Sequence, residues 1–101
     1  MIYQIAVPGL VADVEEIRVL EWHGGIGHAF ETGDLIVELE THKALVEVRA
    51  GQPGCLRQIL VEEGNWQKIG APLCVLSDTA DEPLPDALDS ADDLLVAFEI
   101  T

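Results

Sequence analysis

The chain has 101 residues, enough for one compact domain. Its formal net charge is −14, with 19 acidic side chains against five basic ones. Such a surface repels phosphate backbones and anionic headgroups, so neither nucleic-acid nor membrane-surface binding is expected, and the isolated domain is expected to be a monomer. Aromatic residues make up only 5%, so Val, Leu, Ile and Ala must fill the core. A packed core of this size leaves little interior for an enclosed substrate cleft, and a site at the surface or a loop tip is easier to build.

The first residues, MIYQIAVPG, lack the basic region and long apolar stretch of a secretory signal. They read directly as a strand, with Ile5 and Val7 on one face. No apolar run approaches the ~18 residues of a membrane-spanning helix. Further strands are predicted over residues 17–22, 35–40, 45–49, 56–61 and 73–76, several with period-two alternation. Gly, Pro, Asn and Asp punctuate the gaps, as at Pro8-Gly9, Gly33-Asp34, Pro53-Gly54 and Gly64-Asn65. No long amphipathic pattern precedes residue 80, so many short strands point to an all-β sandwich or small barrel.

An internal repeat sharpens that expectation. At an offset of 37 residues, Val19 falls on Leu56, Trp22 on Ile59, Gly27 on Gly64, Gly33 on Gly70 and Ile36 on Leu73. Glycines recur where a tight turn needs positive φ, and apolar residues recur where a core needs filling. The physical meaning is two similar sheets packed face to face about a pseudo-two-fold axis.

The domain is expected to span residues 1–77. Residues 78–101 hold eight of the acidic side chains and no basic one, and form an expected acidic tail. Most of this tail reads as loosely attached, whereas residues 94–100, LLVAFEI, are apolar enough to dock as a strand or a short helix. Cys55 and Cys74 both lie in apolar runs and lack the spacing of a metal or redox pair. Buried free thiols in a reducing cytoplasm, bacterial by expectation, are the natural reading. His23 and His28 have no metal-like spacing with His42, so no metal site is expected.

The sharpest local feature is LIVELETHKALVEVRA, in which two alternating strands flank Thr41-His42-Lys43-Ala44. Strands this close in sequence pair as an antiparallel hairpin, because a parallel crossover needs about a dozen residues or more. Lys43 then sits at its tip. Glu40 and Glu47 flank it, so its amine is expected to be accessible and not desolvated, which disfavours a Schiff-base or general-base role. An exposed lysine on a stiff turn suits covalent modification by another enzyme instead.

The segment GHAFETGDLIVELETHKA resembles the lipoyl domain of 2-oxoacid dehydrogenase complexes, within the wider biotinyl/lipoyl attachment family. Gly27, Phe30, Gly33, Asp34, Ile36, Glu40, Thr41, Lys43 and Ala44 fall on that family's pattern. So does Trp22, and Pro53, Gly54, Gly64, Gly70, Pro72 and Leu73 fit its second half, so that the resemblance covers residues 2–77. Two residues depart from it: His42 stands where an acidic or small residue is usual before the lysine, and His28 replaces an aspartate.

The resemblance implies a flattened barrel or sandwich of two four-stranded antiparallel sheets. It implies lipoic acid in amide linkage on Lys43, with Glu40, Thr41, His42 and Ala44 as the recognised turn. It makes the chain a carrier and not an enzyme, since the dithiolane supplies the chemistry and the protein supplies position and reach. The implied partners are a lipoate ligase or transferase, a thiamine-diphosphate 2-oxoacid dehydrogenase, an acyltransferase and dihydrolipoamide dehydrogenase. The loop after the first strand, residues 8–16, would help those partners discriminate. A biotin carrier shares the fold, but its pattern sets methionines on both sides of the lysine, and the only methionine here is Met1. Glycine-cleavage carriers are larger. An unmodified all-β interaction module is the reading from a different class. No paired catalytic carboxylates, Ser-His-Asp arrangement or Gly-rich phosphate loop stands out.

Overall fold

The computed structural model describes residues 1–9, 14–85 and 91–100. Its elements are all strands: β1 (Ile2–Ala6), β2 (Glu16–Trp22), β3 (Ala29–Phe30), β4 (Leu35–Glu40), β5 (Leu45–Ala50), β6 (Gly54–Ile59), β7 (Trp66–Lys68), β8 (Pro72–Ser77), β9 (Asp92–Asp93) and β10 (Val96–Ile100). They form two sheets, ordered β3-β6-β8-β1-β9 and β10-β5-β4-β2-β7. All pairings are antiparallel except that of β9 with β1. The expected flattened sandwich is therefore the observed architecture.

Alternation explains the layering. In β5, Val46, Val48 and Ala50 point inward, while Leu45, Glu47 and Arg49 point outward. Ile5, Ile17, Val19, Ile36, Leu39, Leu56, Leu73 and Leu76, each at most 2% exposed, fill the space between the sheets. Burying aliphatic side chains of this size stabilises a fold by about 1.5–3 kcal/mol each, before the ordering entropy is subtracted. Cys55 and Cys74 are both free and buried. Burial pushes the Cys74 thiol up to about 12.

The repeat is visible in detail. Gly27 and Gly64 take φ of 92° and 89°, and Gly33 and Gly70 take 95° and 87°. The Gly27 amide donates to the Leu56 carbonyl at 2.7 Å, and the Gly64 amide returns the bond to Val19 at 2.8 Å. Even the irregularities recur at the same offset. The β2–β4 register skips Leu20 as the β6–β8 register skips Arg57, and β4–β5 skips Ile36 as β1–β8 skips Leu73. A bulge inserts one unpaired residue and increases local twist, so matched bulges curve both sheets alike and let them close over one core.

Each sheet carries a fifth strand beyond the four expected, and both come from the end of the chain. Residues 92–93 lie parallel to β1, and 96–100 pair with β5 from Val96↔Ala50 to Ile100↔Val46. Between them Leu94 enters the core at 4% exposure, its amide donating to the Gln4 carbonyl at 2.8 Å. The Gly51 amide donates to Leu95 at 2.7 Å, and the Leu95 amide donates to the Gln52 side chain at 2.9 Å. The sequence left the geometry of this segment open because short apolar runs fit helix and strand equally well. The exposed edges of β1 and β5 provide unpaired backbone groups that favour the strand. Residues 86–90 of the acidic tail lie outside the described residues.

Candidate functional site

The β4–β5 hairpin ends at the pair Glu40↔Leu45 and turns through residues 41–44. One side chain organises the turn. Thr41 is among the few buried polar side chains of the described residues, at 6% exposure. Its Oγ1 accepts hydrogen bonds from the amides of Lys43 at 3.0 Å and Ala44 at 2.9 Å, and donates to the Ala44 carbonyl at 3.3 Å. The Thr41 amide donates to the same carbonyl at 2.8 Å. A short β-branched hydroxyl can satisfy two backbone donors at once in a way that an apolar residue cannot. The tip is thereby stiff at its base, with Lys43 and His42 exposed above it.

The neighbouring groups set the electrostatics. Glu40 is partly exposed and pairs with Arg18 across β2 at 3.6 Å. Val14, Glu15 and Glu16 line a shallow groove together with His42 and Trp66. Val14 and Glu15 end the connection predicted over residues 8–16 and Glu16 opens β2; residues 10–13 lie outside the described ones. The groove therefore joins that connection, the hairpin and an indole that is 52% exposed. All five turn residues singled out from the sequence, Glu40, Thr41, His42, Lys43 and Ala44, come together at this end. His23 and His28 do not.

Comparison with known proteins follows the same lines. The family model described as "Biotin-requiring enzyme", the biotin/lipoyl family, matches residues 3–76. The chain belongs to the biotin/lipoyl family. The "Dihydrolipoyllysine-residue succinyltransferase component of 2-oxoglutarate dehydrogenase complex" of Staphylococcus saprophyticus is 33% identical over 75 residues, covering 74% of this chain and 18% of that protein. The "Pyruvate dehydrogenase complex protein X component, mitochondrial" of Saccharomyces cerevisiae is 31% identical over 78 residues, covering 76% and 19%. The "Pyruvate dehydrogenase E1 component subunit beta" of Rhizobium meliloti is 34% identical over 74 residues, covering 72% and 16%. The chain thus spans under a fifth of the length of these relatives. The lipoyl-domain resemblance and the all-β fold expected from the sequence are both borne out.

Two features of the structure escaped the sequence reading. Trp66 has no periodic signal, because β7 is only three residues long. The other is a group formed by Glu21, His23 and Glu38. The spacing of Glu21 and His23 hints at a shared face, but Glu38 joins them only through the β2–β4 register.

Proposed function

We propose that this chain is a lipoyl-carrier domain in which Lys43 bears lipoate and moves acyl groups and reducing equivalents between the components of a 2-oxoacid dehydrogenase-type complex. The observation that carries the reading is an exposed lysine on a Thr41-braced hairpin within a biotin/lipoyl fold. Attachment needs a reachable amine on a backbone rigid enough to be recognised, and the turn supplies both. When attached, the lipoyl group supplies a disulfide that can be reduced and acylated. The chain's own part is to hold that group outward and to present Glu40, His42 and the 14–16 segment to successive enzymes.

Tethering raises the effective concentration of the carried group at each partner site, so the domain lowers no barrier of its own. Lipoate is favoured over biotin because His42 and Ala44, and no methionine, flank Lys43. The lipoyl-bearing names of several relatives agree with that choice. The expected partners are a lipoate ligase or transferase, a thiamine-diphosphate dehydrogenase, an acyltransferase and a dihydrolipoamide dehydrogenase.

The test is reductive acylation of the lipoylated chain by thiamine-diphosphate dehydrogenases supplied with labelled pyruvate, 2-oxoglutarate or a branched-chain oxoacid. Label on the parent chain and none on Lys43→Arg is the expected result. No label from any of them, while a second lipoyl domain is labelled in the same mixtures, would overturn the proposal.

A further inference from the structure

The outer face of the lysine-bearing sheet carries a rung of four glutamates. Register places Glu21 opposite Glu38, Glu38 opposite Glu47, and Glu47 opposite Glu99, across β2, β4, β5 and β10. Like charges directly opposite one another in a sheet repel, so such a rung needs cations. One half has a permanent cation. Arg49 reaches Glu47 through Nη2 at 3.4 Å and Glu99 through Nε at 3.4 Å. In the other half the equivalent place is held by His23, whose Nε2 lies 2.9 Å from Glu38 Oε1 and 3.7 Å from Glu21 Oε2.

An arginine can only donate, whereas a neutral imidazole offers a lone pair. The two halves therefore differ in chemistry as well as in charge. Two carboxylates and one imidazole nitrogen converge, with one donor atom of each within 4.8 Å of the others. Zinc-type ions bind nitrogen and oxygen at about 2.0–2.2 Å, which sets tetrahedral donor separations at roughly 3.3 Å. The His23 distances to the two carboxylates bracket that value, and the Glu21 and Glu38 donor atoms lie within 4.8 Å of each other, so side-chain rotations can draw all three onto one ion. The backbone beneath is fixed, since the His23 amide donates to the Ile36 carbonyl at 2.9 Å. The group is also open: Glu21 is 59% exposed, and His23 and Glu38 are 29% and 34% exposed. Water can complete a coordination sphere there.

We infer that Glu21, His23 and Glu38 form a surface site for one divalent first-row transition ion of the zinc type, which takes in the β2–β4 half of the rung the place that Arg49 holds in the β5–β10 half. An imidazole with two carboxylates suits zinc, cobalt or nickel over magnesium and calcium, which take all-oxygen shells. The ion neutralises Glu21 and Glu38 together, which a neutral imidazole does not do. The site contains no residue of the 40–44 turn and does not depend on the carrier reading.

The experiment uses the full chain carrying Lys43→Arg, so that no thiol of an attached lipoyl group competes for metal. After chelator treatment, Zn2+ is titrated calorimetrically while the His23 ring nitrogens are followed by NMR, and Co2+ absorption reports the geometry. One ion should bind, with the His23 signals shifting and excess Mg2+ failing to displace it. His23→Ala and Glu38→Gln should each weaken binding by at least about tenfold, whereas His28→Ala should not. His23→Arg should abolish binding while melting close to the parent, since it rebuilds the Arg49 arrangement. Zn2+ affinity unchanged in His23→Ala, displacement by Mg2+, or half-saturation only above about 1 mM would each overturn the inference.

Discussion

Leu94 offers the sharpest test of how the end of the chain is held. Its side chain is 4% exposed and packs in the core cluster, near enough to Gly54 that a Cβ there would lie 3.4 Å from Leu94 Cδ1. Leu94→Ala removes three carbons from that place and leaves a cavity that its neighbours fill only in part. Core Leu→Ala changes cost about 2–5 kcal/mol. The position lies at the open side of the sandwich, between β1 and β5, where partial collapse is easy, so a value of about 2–3 kcal/mol is expected. For a domain of this size that lowers the melting temperature by roughly 10–20 °C. Leu95→Ala, one residue on but 63% exposed, should change stability by no more than about 0.5 kcal/mol. Calorimetric melting of both variants makes the comparison. Amide exchange should also accelerate at β5, whose edge β10 covers. Equal melting temperatures for the parent and both variants would show that residues 92–100 do not share the core.

Other outcomes follow from single residues. Thr41→Val strips the acceptor shared by the Lys43 and Ala44 amides; a cost of about 1–3 kcal/mol and faster exchange of those two amides are expected, and unchanged protection would argue against the brace. Gly33→Ala meets no atom within 4 Å, so its cost comes from holding alanine at a φ of 95°, about 1–2 kcal/mol. Gly51→Ala acts differently, because its Cβ would lie 2.9 Å from the Leu95 carbonyl oxygen; it should loosen β10 as Leu94→Ala does, and a melting curve unchanged from the parent would count against that docking. Cys74 keeps its proton in the folded state up to about 12, whereas the unfolded thiol loses it near 9.0. The folded state then binds more protons in that window, so its contribution is intact below pH 9.0 and is lost as pH rises toward about 12. Chemical denaturation across this range should show a slope that Cys74→Ala reduces, and identical slopes would contradict the assignment.

The parts legible in the sequence are those governed by local rules. Alternation in residues 35–40 and 45–49 specified a hairpin, and its length put Lys43 at the tip. Glycines spaced alike in the two halves announced turns that the φ values of Gly33 and Gly70 match. The repeat even carried the bulges, although nothing in Leu20 or Arg57 taken alone marks one. What stayed hidden depends on register and on long-range pairing. Glu38 stands beside His23 only because β2 and β4 meet with a one-residue skip. The sequence placed Thr41 in the turn, but the two bonds that its hydroxyl accepts were not legible there. Residues 96–100 chose strand because β5 offered an edge, a choice made by the partner strand and not by their own composition.

Under the proposed function, Lys43 is the attachment point of a lipoyl group. Intact mass with peptide mapping, on protein made in cells supplied with lipoate and a lipoate ligase, tests it most directly. One lipoyl group is expected, located on the peptide containing Lys43 and missing from Lys43→Arg. An unmodified chain under those conditions, or one modified only when biotin and a biotin ligase are supplied, would contradict it.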